Sequence, residues 1–176
     1  SIPEVLKETI VNYKKERRTI RRPQKEIKPR DYQLEAINAV KQNNWKGILE
    51  MATGTGKTIT SLLIANEYFK ENNRIFLIIA VPFTHLVEQW QKNCEEAGYN
   101  TFTYCYDSKA NWMNKLQMDI RDFNSGILRK HVVITTYRSA SAKEFSNLVS
   151  LLRGKTFFIA DECHYFGIKS LREHQF

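Results

Sequence analysis

Residues 50–58 read Glu-Met-Ala-Thr-Gly-Thr-Gly-Lys-Thr. A strand is predicted just before this stretch, over residues 47–51, and a helix just after it, over residues 57–71. A strand feeding a glycine-rich loop that opens a helix is the context a phosphate-binding loop requires. Gly54 and Gly56 permit backbone angles that aim successive N–H groups at one point, and the helix opening near Lys57 adds the positive end of its dipole. Lys57 would set a cation against the β and γ phosphates of a nucleotide, and Thr58 would offer its hydroxyl to Mg²⁺. Met51 stands where the consensus G-x-x-x-x-G-K-[ST] has its first glycine. The chemistry survives, because the close approach to phosphate is made at Gly54 and Gly56. An ordinary glycine-rich turn is the plainer reading, and the Lys-Thr pair favours the phosphate site over it.

Outward from the loop, predicted helices and strands alternate. Helices are predicted over 31–42, 57–71, 83–97, 109–122 and 139–152, and strands over 47–51, 74–81, 101–106, 131–136 and 156–160. Strands rich in Ile, Val and Phe that alternate with helices imply an α/β fold, with a parallel sheet covered by helices on both faces. Ligands then bind at the carboxyl ends of the strands. At one such end Phe157–His164 read FFIADECH, an apolar strand running into two adjacent carboxylates. Asp161 is placed to hold Mg²⁺ and Glu162 to polarise an attacking water. A solvated turn would look the same in isolation. Thr58 and Asp161 together supply the two sides of one metal site, and each strengthens the reading of the other.

The 176 residues suit one domain with a real core, and a 42% hydrophobic content describes a chain that folds. The longest apolar run, residues 75–83, is far short of a membrane span and is interrupted by Pro82. No secretory-signal pattern opens the chain, so a cytoplasmic protein with no membrane partner is expected. Cys94, Cys105 and Cys163 form no C-x-x-C pair, which argues for reduced thiols over a disulfide framework or zinc site. The net charge of +8 is uneven: residues 1–30 hold 10 Lys and Arg against 4 Glu. Residues 1–27 are expected to form a basic amphipathic helix and linker, and residues 28–176 the phosphate-binding domain. Such an arm suits nucleic-acid phosphates, although a solvated helix and linker explain it equally well.

Five stretches, in order, resemble the motifs of superfamily-two helicases: KPRDYQLEAI (28–37) the Q motif, MATGTGKT (51–58) motif I or Walker A, VPFTHLVEQW (81–90) motif Ia, VVITTYRS (132–139) a later nucleic-acid motif, and DECH (161–164) motif II. The wording looks most like the DNA translocases of type I and type III restriction enzymes and of excision repair. The resemblance implies the first RecA-like, P-loop NTPase domain of an ATP-hydrolysing motor, with ATP and Mg²⁺ as its cofactors. It implies that Gln33 reads the adenine edge, that Arg30 helps hold the nucleotide, and that the loop from Thr53 through Gly54, Thr55 and Gly56 to Lys57 and Thr58 cradles the phosphates. His164 joins Lys57, Asp161 and Glu162 in the catalytic set, coupling the nucleotide site to the rest of the motor. Pro82, Thr84 and His85 in motif Ia, with Thr135, Thr136 and Arg138, become candidate nucleic-acid contacts. Helix capping is the competing explanation for them. Leu86, Val87 and Trp90 read as the buried face of their helix.

The resemblance also implies a second RecA-like domain carrying a transition-state arginine, and a motif III strand after motif II. Neither lies within this sequence, so the segment alone is expected to be weakly active or inactive. Duplex DNA is the expected partner, and a nuclease or modification subunit is a further candidate. An RNA helicase or RNA-sensing ATPase of the same superfamily is the nearest alternative. A nucleotide-gated binding switch without processive movement is the alternative of another class.

Overall fold

A computed structural model describes residues 28–49, 56–106 and 111–162. Its elements are α1 (Asp31–Gln42), α2 (Lys57–Asn72), β1 (Ile75–Val81), a 3₁₀ turn (Thr84–Leu86), α3 (Val87–Glu96), β2 (Phe102–Cys105), α4 (Trp112–Asn124), β3 (Lys130–Thr136), α5 (Tyr137–Ala140), α6 (Lys143–Val149) and β4 (Thr156–Ala160). The four strands pair in the order β2-β3-β1-β4. Every pairing is parallel, with Val81 opposite Thr136 and Ala80 opposite Ala160, so the carboxyl ends lie along one edge.

β1 holds this arrangement together. Its sequence, Ile-Phe-Leu-Ile-Ile-Ala-Val, is apolar at every position, and all seven residues are buried. That is what a central parallel strand flanked on both faces requires. Period-two alternation divides its side chains. Ile75, Leu77, Ile79 and Val81 pack with Leu62 and Ala65 of α2, and with Val87, Trp90 and Cys94 of α3. Phe76 and Ile78 pack on the opposite face with Leu116, Ile120 and Phe123 of α4 and Phe145 and Val149 of α6. Each such side chain contributes roughly 1.5–3 kcal/mol on burial. The expected two-faced α/β sheet is therefore found. α1 lies outside it, set on α2 through Ile37, Val40 and Ile64.

Three expectations about elements are corrected. Gly47–Leu49 run outside the sheet, and Ile48 is 75% exposed. No strand lies beside this run among the described residues, and a β-conformation without a ladder has nothing to hold it. The helix predicted over 83–97 opens later, as a 3₁₀ turn running into α3, because Phe83 is extended (φ −136°, ψ 147°). The helix predicted over 139–152 is two pieces, α5 and α6. The Ser141 hydroxyl bonds back to the Tyr137 carbonyl at 2.8 Å, a local competitor of helix continuation, and Ala142 is extended (φ −71°, ψ 141°). The predicted N-terminal helix, like Glu50 and Met51 of the loop, lies outside the described residues.

Candidate functional site

The nucleotide side of the site begins at Gly56, the residue before α2, with φ +88°. A Cβ there would meet only ordinary contacts, at 3.6 Å from the Tyr32 hydroxyl and 3.7 Å from Gln33 Nε2, so the backbone angle is what calls for glycine. This left-handed residue turns the chain into α2, whose first two residues are Lys57 and Thr58, both half-buried. The open N–H groups of that turn and the helix dipole favour an anion. Thr53, Gly54, Thr55 and His164 lie outside the described residues.

The acidic side lies a hundred residues further along the chain. Asp161 continues the ladder past the end of β4, its N–H donating to the Ala80 carbonyl at 2.9 Å. Glu162 follows with a left-handed φ of +51°. Lys57, Thr58, Asp161 and Glu162 all line one cleft of about 560 Å³, whose apolar wall includes Val40, Ile64 and Phe157. Among the described residues its polar lining includes the hydroxyls of Thr58 and Ser61 and the carboxylates of Asp161 and Glu162, oxygen donors that suit a Mg²⁺ site completed by phosphate oxygens.

Gln33 is buried and hydrogen-bonded within the fold. It is 5% exposed, and it does not line the cleft. Its Oε1 accepts the Arg30 N–H at 3.0 Å, its Nε2 donates to Thr60 Oγ1 at 3.0 Å, and that hydroxyl donates to the Gly56 carbonyl at 2.9 Å. The carboxamide is thus a strut between the start of α1 and the last glycine of the loop. Arg30 is exposed beside it. Thr60 was not anticipated, since a helical threonine one turn inside a cap carries no distinguishing signal in sequence.

A second residue missed in sequence is Trp90. It is 3% exposed, and its indole Nε1–H donates to Asp161 Oδ2 at 2.9 Å across 71 positions of chain. Helical spacing gave only its burial. The usable signal was that a buried indole N–H requires an acceptor.

The candidate nucleic-acid residues divide. Thr84 and His85 are exposed in the turn beyond β1, and Pro82 is half-buried just before them. The His85 ring stacks on exposed Phe83, with centroids 5.6 Å apart and planes 7° from parallel. Arg138 is exposed on the neighbouring strand end. Thr135, however, is fully buried and donates its hydroxyl to the Cys105 carbonyl at 3.0 Å, so its side chain is a sheet residue. Thr136 is the N-cap of α5, accepting the Ser139 N–H at 3.3 Å, which is the capping alternative.

Among the described residues no helix is long and apolar enough to cross a membrane. Cys94 and Cys105 are free and buried, and burial pushes each thiol up to about 12.

Comparison with known proteins places this geometry among restriction enzymes. The family model described as "Type III restriction enzyme, res subunit" matches residues 26–175. The Type I restriction enzyme EcoAI endonuclease subunit of Escherichia coli is 39% identical over 69 residues, which cover 37% of this chain and 8% of that protein. A nuclease-deletion mutant of the Type ISP restriction-modification enzyme LlaGI, solved in complex with a DNA substrate mimic, superposes with a TM-score of 0.61 at 27% identity. That superposition covers 78% of this chain and 15% of LlaGI. The chain therefore spans a small fraction of the length of both relatives.

Proposed function

Since the chain belongs to the family of the type III restriction enzyme res subunit, and its fold is that of the first RecA-like domain of a superfamily-two helicase, we propose that it binds ATP with Mg²⁺ in the cleft between α2 and β4 and hydrolyses it to drive movement on duplex DNA in restriction. One observation carries this reading: Lys57, Thr58, Asp161 and Glu162, a hundred positions apart in sequence, line the same cleft.

Within that reading Lys57 and the open N–H groups at the start of α2 bind and orient the phosphates. Thr58 and Asp161 would hold Mg²⁺, which when bound would neutralise charge on the phosphate oxygens. Glu162 would accept a proton from the water that attacks the γ phosphorus, with ADP leaving as the bond to the β–γ bridging oxygen breaks. Gln33 holds Gly56 through Thr60, beside the cleft in which the nucleotide would sit. Thr84, His85 and Arg138 face the same edge and offer contacts to DNA phosphates, matching the DNA-bound state in which LlaGI was solved. A second RecA-like domain, as the helicase resemblance implies, would supply an arginine for the transition state. This segment alone is therefore expected to hydrolyse ATP slowly.

The test is binding of a fluorescent ATP analogue with Mg²⁺. Lys57→Ala should weaken it at least about tenfold, whereas Glu162→Gln should bind normally and lose about 10²–10⁴ in single-turnover hydrolysis. Equal binding by wild type and Lys57→Ala would refute the phosphate site. Stimulation by RNA in preference to duplex DNA, in a protein that includes the second domain, would refute the choice of DNA.

A further inference from the structure

The Asp161 carboxylate sits at the edge of the cleft with one oxygen already engaged. Oδ2 accepts the Trp90 indole N–H at 2.9 Å, and the Asp161 backbone is fixed by its own bond to the Ala80 carbonyl at 2.9 Å. Trp90 itself has little freedom. It is 3% exposed and packs in the core layer with Val81, Val87 and Ile159. The carboxylate is thus anchored through both its main chain and one of its oxygens.

The chemistry of that partner matters. An indole is a neutral donor with no acceptor. It cannot compete with the carboxylate for a cation, and unlike Lys or Arg it does not cancel the carboxylate's charge. A hydrogen bond of this kind orients a ligand while leaving its negative charge and its second oxygen available. Trp90 also stands on α3, directly after the 3₁₀ turn carrying Thr84 and His85. One rigid helix therefore joins the exposed turn to the acidic strand end.

Resting on the reading of the cleft as a Mg²⁺-nucleotide site, we infer that Trp90 is a positioning residue that holds Asp161 in register for the cation. In Trp90→Phe the ring stays and the donor goes. The Mg²⁺ concentration that half-saturates binding of the fluorescent ATP analogue should rise about tenfold to a hundredfold, the range typical when a metal ligand loses its orienting partner. Binding of the same analogue in EDTA should change less than about twofold, and circular dichroism reports whether the variant is folded. A second measurement needs no variant at position 90. In ¹⁵N-labelled protein the 3 Trp residues give separate indole resonances, two of them assigned by Trp45→Phe and Trp112→Phe. The Trp90 resonance should move when Mg²⁺ is added to protein saturated with ATP analogue. A folded Trp90→Phe with wild-type Mg²⁺ dependence, or a Trp90 resonance that stays still on Mg²⁺ addition, would overturn the role of Trp90 alone. If wild type showed no Mg²⁺-dependent binding, the parent reading would fall and this inference with it.

Discussion

At the scale of single residues, Glu162 occupies a conformation that its side chain does not favour. Its φ of +51° lies in the left-handed region, where a residue with a Cβ costs about 1–2 kcal/mol relative to the right-handed form. Strain of this kind persists where surrounding structure over-determines it, often at functional sites. Here the left-handed residue is one that lines the cleft. Glu162→Gly is therefore expected to raise the stability of the chain by about 1 kcal/mol in urea denaturation, while hydrolysis is lost. A glycine variant less stable than wild type would show that no strain is relieved there. The paired carboxylates were legible in sequence because they follow an apolar strand. The bond between Asp161 and Trp90 was not, since no local pattern links two positions so far apart.

At the scale of elements, α4 is pinned to the sheet by a buried polar cluster. Asp119 is 4% exposed and His131 1% exposed. The Asp119 carboxylate accepts the Lys115 ammonium at 2.7 Å and the Thr103 hydroxyl, and lies 3.2 Å from His131 Nε2. His131 Nδ1 is 2.9 Å from Thr101 Oγ1. Burial alone would raise the Asp119 pKa, but the hydrogen bonds from His131, Lys115 and Thr103 outweigh it and the net direction is down. A carboxylate depressed in the folded state adds stability that is complete above its ordinary value of about 4 and is lost as pH falls through the lower folded value. Asp119→Asn should accordingly cost about 1–3 kcal/mol at neutral pH, because it takes the charged acceptor from buried Thr103 and His131 and leaves half-exposed Lys115 unpaired. In urea denaturation that difference should shrink as pH is taken below about 4. A penalty independent of pH would mean the cluster acts by shape and not by charge. The helical spacing of α1 and the apolar runs of β1 and β4 were readable almost to the residue. The break between α5 and α6 was hidden because Ser141 and Ala142 are compatible with helix, and a single side-chain bond back to Tyr137 tips the balance.

At the scale of the whole molecule, charge and order of assembly matter most. Of the net +8, the first 30 residues carry 10 basic against 4 acidic side chains. If that arm meets DNA phosphates, a chain lacking residues 1–27 should show a shallower fall of log affinity for duplex DNA with log salt, by about 0.9 for each phosphate that the arm neutralises. An unchanged slope in a salt titration would assign the arm another role. The parallel topology was legible from alternation alone, whereas the strand order was not, since pairing between distant segments leaves no local trace. That order also has a cost during synthesis. The central strand is made early, yet its two neighbours are residues 130–136 and 156–160, so it must wait with its backbone groups unpaired. Seven uncharged residues, five of them Ile, Phe or Val of high β-propensity, form a segment prone to intermolecular stacking while they wait. Arg74 immediately before it and Pro82 immediately after it are the residue types that interrupt such growth, so the two ends of the most buried strand also guard the nascent chain against aggregation.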